Sequence, residues 1–220
     1  FKRAPNSLPK SKKKIMRLFL LLLLFVASLN FGNAQIKFVL ADDAILLEDS
    51  NDSLTKLQFY ISDLRASIGK HVVWRAEKKH YLIDLKTKDD NNNSIDSDLL
   101  VFREGLTIHF LLGVDSKTAS KGIGEGALDP INGMYWTWQS GYINFKMEGV
   151  SKKSPARKNR FHLHLGGYNK PWATQQEVSL QTSSKETIIC FNLERFLSLI
   201  DLGQEHTIMS PCEKAVMLSA

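Results

Sequence analysis

From residue 36 onward the chain is a succession of short runs in which apolar and polar positions alternate, broken by Gly, Asn, Asp, Ser and Pro. A period of two places alternate side chains on opposite faces of an extended chain, so these runs predict half-buried strands. They are Ile36 to Leu40, Leu57 to Ile61, Val72 to Arg75, Tyr81 to Leu85, Leu106 to Leu112, Tyr135 to Met147, Arg160 to Leu165, Glu177 to Leu180 and Thr187 to Phe191. Helical spacing is found near the C-terminus. Apolar residues at 193, 196, 197, 199 and 200 predict a helix over Leu193 to Leu202 stopped by Gly203, and a second short helix is expected through Glu213 to Leu218. The pattern therefore predicts an all-β single domain, a β-sandwich or barrel, with one or two short C-terminal helices.

One segment stands outside the alternation. Residues 16–34, MRLFLLLLLFVASLNFGNA, combine Arg17 and the preceding Lys12 to Lys14 with an apolar run from Leu18 to Val26 and small residues at Gly32 and Ala34. The run is shorter than the roughly 20 residues a membrane span needs, and the pattern is that of a secretory signal peptide with cleavage expected after Ala34. Met16 is then the expected initiator, residues 1–15 a non-native upstream extension, and 35–220 the mature domain. The consequence for charge is large. Seven of the 29 basic residues and none of the 23 acidic ones lie in the first 34 positions, so the remainder holds 22 basic against 23 acidic, a net charge of −1. The overall charge of +6 belongs to the leader and gives no ground for a nucleic-acid partner, which would need clustered Lys and Arg. No transmembrane segment is expected in the mature chain.

Two polar stretches resemble binding motifs and fail the test. Residues 86–98, KTKDDNNNSIDSD, alternate Asp89, Asn91 and Asn93 as a calcium loop does, yet the sixth position is Ser94 instead of Gly and the twelfth is Leu100 instead of Glu, so a solvated hairpin loop is expected. Gly122, Gly124 and Gly126 are followed by no Gly-Lys-Ser/Thr and predict only a pliable loop. There is also no GxSxG, HExxH or CxxC. A non-enzymatic role is expected.

The candidate chemistry lies in Phe161-His162-Leu163-His164-Leu165. On a strand, His162 and His164 share one face and Phe161, Leu163 and Leu165 the other. Imidazoles two residues apart lie about 6.5 to 7 Å from each other along the strand and can reach one ion, and imidazole suits copper, zinc or nickel. The competing reading is a wet strand face carrying two ordinary histidines. The run around Tyr135, Trp136, Trp138 and Tyr142 reads as a core hairpin, with an aromatic platform for glycan or a protein partner, free of metal, as its functional rival. Cys190 lies in an apolar run and is expected to be a buried thiol; Cys212 is expected in an exposed turn. In an exported chain the two could form a disulfide.

Several segments together resemble the MbnP-like family of exported copper-binding proteins, relatives of the methanobactin-associated protein and of the methanotroph surface proteins MopE and CorA. They are FYISDLR (59–65), KHYLIDL (79–85), GALDPINGMYWTWQSGYINFKMEG (126–149), FHLHLGGY (161–168) and HTIMSP (206–211). The resemblance implies a periplasmic or surface β domain of a Gram-negative bacterium that binds one copper ion as a chaperone or carrier. Its implied partners are the ion and a membrane copper transporter or another periplasmic protein. It makes His164 the leading ligand, His162 its chelate partner and His80 the contribution from another strand. It also implies oxidation of a nearby tryptophan to kynurenine, for which Trp136 and Trp138 are the candidates, ahead of Trp74 and Trp172. The family's usual final strand would follow Ala220.

Overall fold

In a computed structural model the described residues are 35–41, 52–86, 93–97, 100, 103–137, 139–182 and 186–220. The expected leader, the upstream extension, most of the polar insert and Trp138 lie outside them. The strands are β1 (Gln35–Ala41), β2 (Ser53–Ile68), β3 (His71–Arg75), β4 (His80–Asp84), β5 (Ser94–Asp96) and β6 (Leu106–Leu112). They continue as β7 (Tyr135–Thr137), β8 (Gly141–Val150), β9 (Arg160–Gly166), β10 (Gln176–Gln181), β11 (Glu186–Asn192) and β12 (Thr207–Ile208). The described residues also form three short α-helices, α1 (Ser116–Ala119), α2 (Leu193–Leu197) and α3 (Glu213–Ser219), and 3-10 turns at Gly126–Leu128, Pro130–Asn132 and Arg157–Asn159. The all-β expectation holds.

The strands form two sheets. In the larger, the order is β10-β6-β2-β8-β9-β12, with β3 and β4 added along the free edge of β2 and β7 paired to β8. The smaller has the order β11-β1-β5, in which β1 runs parallel to β11 and antiparallel to β5. Long β2 organises the large sheet. Its Gln58 and Phe59 pair with β4 on one edge and β8 on the other, and beyond a bulge between Ser62 and Arg65 it pairs with β3 and β6. Asp63, at the bulge, has a φ of +50°. That irregularity is why the alternation around Asp63 and Arg65 predicts only the middle of this strand, because a bulged residue shifts the face of everything after it.

The main core lies between the sheets. Leu57, Phe59 and Ile61 of β2, Phe145 and Met147 of β8, and Phe161, Leu163 and Leu165 of β9 meet Ile36 and Phe38 of β1, with α2 and α3 contributing Leu193 and Leu218. Phe38 contacts Phe59 and Phe110 edge-on, each at a centroid distance of 5.9 Å. A second, smaller cluster gathers Tyr60, Val114, Leu128, Met134, Tyr142 and Ile143, with Tyr135 and Trp136 packed against it. Edge contacts join Tyr60 to Tyr142 and Tyr142 to Tyr135.

Several expectations are corrected. The run from Tyr135 to Met147 is two strands, because Gly141 with a φ of +73° turns the chain between β7 and β8. The helix starting at Leu193 ends at Leu197, and Ser198 to Gly203 are not helical. The polar insert is not all loop, since Ser94–Asp96 pair with β1. Cys190 and Cys212 are free. Cys190 is exposed, since on β11 it is Ile189 and Phe191 that turn toward the core, while Cys212 precedes α3 and packs against the core.

Candidate metal centre

The His-x-His strand places its side chains as alternation requires. Leu163 and Leu165 are buried in the core, and His162 and His164 project from the opposite face of β9 with ring centroids 6.2 Å apart and planes at 88°. Register on β8 adds what the local sequence cannot. Glu148 lies opposite His162 and Lys146 opposite His164. Glu148 Oε1 accepts from His164 Nε2–H at 2.8 Å and is 3.8 Å from His162 Nδ1. One donor atom from each of Glu148, His162 and His164 lies within 4.8 Å of the other two. Ligands about 2.1 Å from one tetrahedral ion are themselves about 3.4 Å apart, so modest side-chain rotation would close this set around an ion.

The electrostatics suit cation binding. Burial lowers the pKa of His164 and outweighs the opposing hydrogen bond to Glu148, so the ring is neutral at physiological pH. Burial alone would raise Glu148, but the His164 hydrogen bond and the Lys146 charge outweigh it and hold the carboxyl below its usual range. Since Nε2 carries the proton given to Glu148, Nδ1 of His164 holds the bare lone pair, and that atom is buried without a partner. Nδ1 lies on the other side of the ring from the nitrogen that meets Glu148, so an ion held among the three side chains would engage Nε2 once that nitrogen has released its proton. Lys146 stands alongside, its Nζ donating to Gly133 O at 3.0 Å and 3.5 Å from Glu148 Oε1.

His80 is not brought to this group. It sits on β4, across β2 from β8, where its Nδ1 meets Ser62 Oγ at 2.8 Å. Ser62 spends its one proton on Gly113 O at 2.6 Å, so His80 Nδ1–H is the donor and Nε2 is left as an acceptor 3.8 Å from Asp115 Oδ2. Burial, then the neighbouring Lys79 charge, lowers the His80 pKa. Of the tryptophans, Trp136 is half-buried, and a Cβ added at Gly166, two residues beyond His164, would lie 2.8 Å from its Cζ3. Its Nε1 is buried and unpartnered. Tyr142 is buried and bonded to Gly122 O and Leu128 O, so it faces the interior, while Tyr135 and Trp136 are half-buried. Trp172 is exposed and Trp74 packs against the main core.

Glu148 is the residue that the histidine motif does not announce. Its signal is present in NFKMEG, where Lys146 and Glu148 alternate with Phe145 and Met147, a polar face on a strand that otherwise reads as core. Only the pairing of β8 with β9 turns that face toward the histidines.

No curated protein matches the sequence. Among solved structures the chain resembles MbnP from Methylosinus trichosporium at 12% identity, covering 84% of this chain and 87% of that one with a TM-score of 0.50, a likeness of fold. The MbnP family model matches residues 27–211, and on that span the chain belongs to the MbnP family.

Proposed function

We propose that this protein binds copper outside the cytoplasm through His162, His164 and Glu148, and serves as a copper carrier or chaperone. The observation that carries the reading is the convergence of two imidazoles and a carboxylate on one side of the β8–β9 pair, one imidazole kept neutral by burial. Copper binds nitrogen sites more tightly than the other divalent first-row ions, so an accessible site of this type loads with copper where the metal is available. Membership of the MbnP family supports the choice of metal, and the signal-peptide pattern of residues 16–34 supports the compartment. No helix among the described residues is long and apolar enough to cross a membrane, which suits a carrier that hands its ion to another protein.

Here copper is cargo, and the chain's own groups do the work. Glu148 offers a carboxylate already ionised, His164 a neutral ring fixed by its hydrogen bond, and His162 a ring whose side chain is 35% exposed and open to an arriving ion. Trp136, packed against Gly166, is the tryptophan of the described residues best placed for oxidation by chemistry at this site. The test is metal analysis of mature protein purified from the periplasm. Near-stoichiometric copper is expected in the wild type and little in His162→Ala/His164→Ala. Protein that carries no copper, or a double variant that keeps it, removes the proposal. Intact mass of the same sample reports the cleavage site and any tryptophan oxidation.

A further inference from the structure

The strand that follows the histidines in the sheet carries a donor of another kind. β12 runs parallel to β9 with Thr207 opposite His162 and Ile208 opposite Leu163, and His162 N–H donates to His206 O at 2.8 Å. Ile208 is buried beside Leu163, whereas Thr207 is exposed, so Thr207 stands on the histidine face. Met209 is the next residue after β12, and alternation carried one step past the strand would set it on that same face, level with His164. β12 itself ends at Ile208, and the chain beyond it stays close to the end of β9. A Cβ on Gly167 would lie 3.1 Å from Pro211 Cβ, so residues 209–211 still run alongside the end of β9.

Met209 is 52% exposed and belongs to neither hydrophobic cluster. A large apolar side chain held at the surface gains little from burial there, but its sulfur is available. Adjacent strands lie about 4.8 Å apart, and methionine has three rotatable bonds with which to swing a thioether over its neighbour. We propose that Met209 supplies its sulfur to the copper held by Glu148, His162 and His164, and that this soft ligand makes the site prefer copper(I) to zinc. The inference rests on the copper reading above. Lys146 favours the same ion. With an ammonium 3.5 Å from the only carboxylate of the set, a monovalent cation meets less repulsion than a dication. Thioethers bind copper(I) well and zinc poorly, so the preference follows from the donor set.

The test compares wild-type mature protein with Met209→Leu, which keeps size and apolarity and removes sulfur, and with His162→Ala/His164→Ala. Copper(I) affinity is measured anaerobically by chelator competition, zinc affinity by the same method, and the copper environment by X-ray absorption. Loss of an outer-shell partner already costs about tenfold in metal affinity, so Met209→Leu is expected to weaken copper(I) by at least that factor while leaving zinc within twofold. A sulfur scatterer seen in the wild type is expected to vanish in the leucine variant, which separates Met209 from the free Cys190 and Cys212. Unchanged copper(I) affinity in Met209→Leu, a persisting sulfur scatterer, or equal loss of zinc overturns the role of Met209. If the histidine variant loses copper in that case, the site itself stands. If it does not, the copper reading falls with it.

Discussion

Lys146 is the least expected residue of the site, a cation 7% exposed on a strand that also buries Tyr142, Ile143, Phe145 and Met147. Its Nζ is held by Gly133 O, and it faces Glu148 at 3.5 Å, where it keeps the carboxylate ionised and opposes any cation that arrives. At an effective dielectric of about 20, a unit charge about 5 Å from a monovalent ion is worth about 3 kcal/mol before screening. Lys146→Met removes that repulsion and keeps most of the buried stem. Gly133 is exposed, so water replaces the lost donor to its carbonyl. The variant is expected to bind copper about tenfold more tightly, as read by chelator competition. Weaker binding would mean instead that Lys146 serves chiefly to position Glu148. The histidines were legible from sequence because a two-residue period is a local property. Glu148 and Lys146 were not, because their relation to the histidines is a matter of register between β8 and β9.

At the scale of elements, the differences at β2 and at β7–β8 share one physical cause, the loss of period at a bulge or turn. β2 continues through Asp63 because β3 and β6 pair with its far half, and β7 separates from β8 because Gly141 turns the chain. α1 was missed because four residues carry no helical period; what marks it is its cap. Asp115 accepts from Thr118 N–H and pairs with Lys79 Nζ at 2.9 Å, tying the β6–α1 connection to the start of β4. Burial would raise the Asp115 carboxyl, but the hydrogen bonds from Lys79 and Thr118 outweigh it and bring the pKa to about 2 from 3.8. A carboxyl depressed on folding stabilises the fold fully above its unfolded pKa and loses that contribution as pH falls toward the folded value. Asp115→Ala is expected to cost about 1 kcal/mol at neutral pH, mostly as a lost cap, since the half-exposed Lys79 adds little. In urea denaturation, the gap between wild type and variant should narrow as pH is lowered from 3.8 toward about 2. A gap that stays constant through that window would show that the carboxylate charge contributes nothing.

At the scale of the molecule, the two faces of the large sheet carry different tasks. The face toward the small sheet is the main core, and the same strands β8 and β9 present Lys146, Glu148, His162 and His164 on the other. The β class and most strand positions could be read from alternation, but β5, β12, the separation of β7 from β8 and the division into two sheets could not. β1 pairs parallel with β11 across some 150 residues of chain, and nothing local in Ile36 to Leu40 points to that partner. Phe38 is the hinge between stability and function. It is 2% exposed and reaches from β1 to Phe59 and Phe110 of the large sheet. Truncating a buried phenylalanine costs about 3 to 5 kcal/mol, through lost transfer energy and the cavity it leaves. Phe38→Ala is therefore expected to lower the denaturation midpoint sharply. Because Phe38 lies on the core side, the copper affinity of the protein that remains folded should stay within about twofold, a change of about 0.4 kcal/mol. Equilibrium denaturation and copper competition at a temperature well below the transition separate the two effects. If copper affinity falls in step with stability, the site depends on the seating of the small sheet, and the two faces are coupled through β8 and β9.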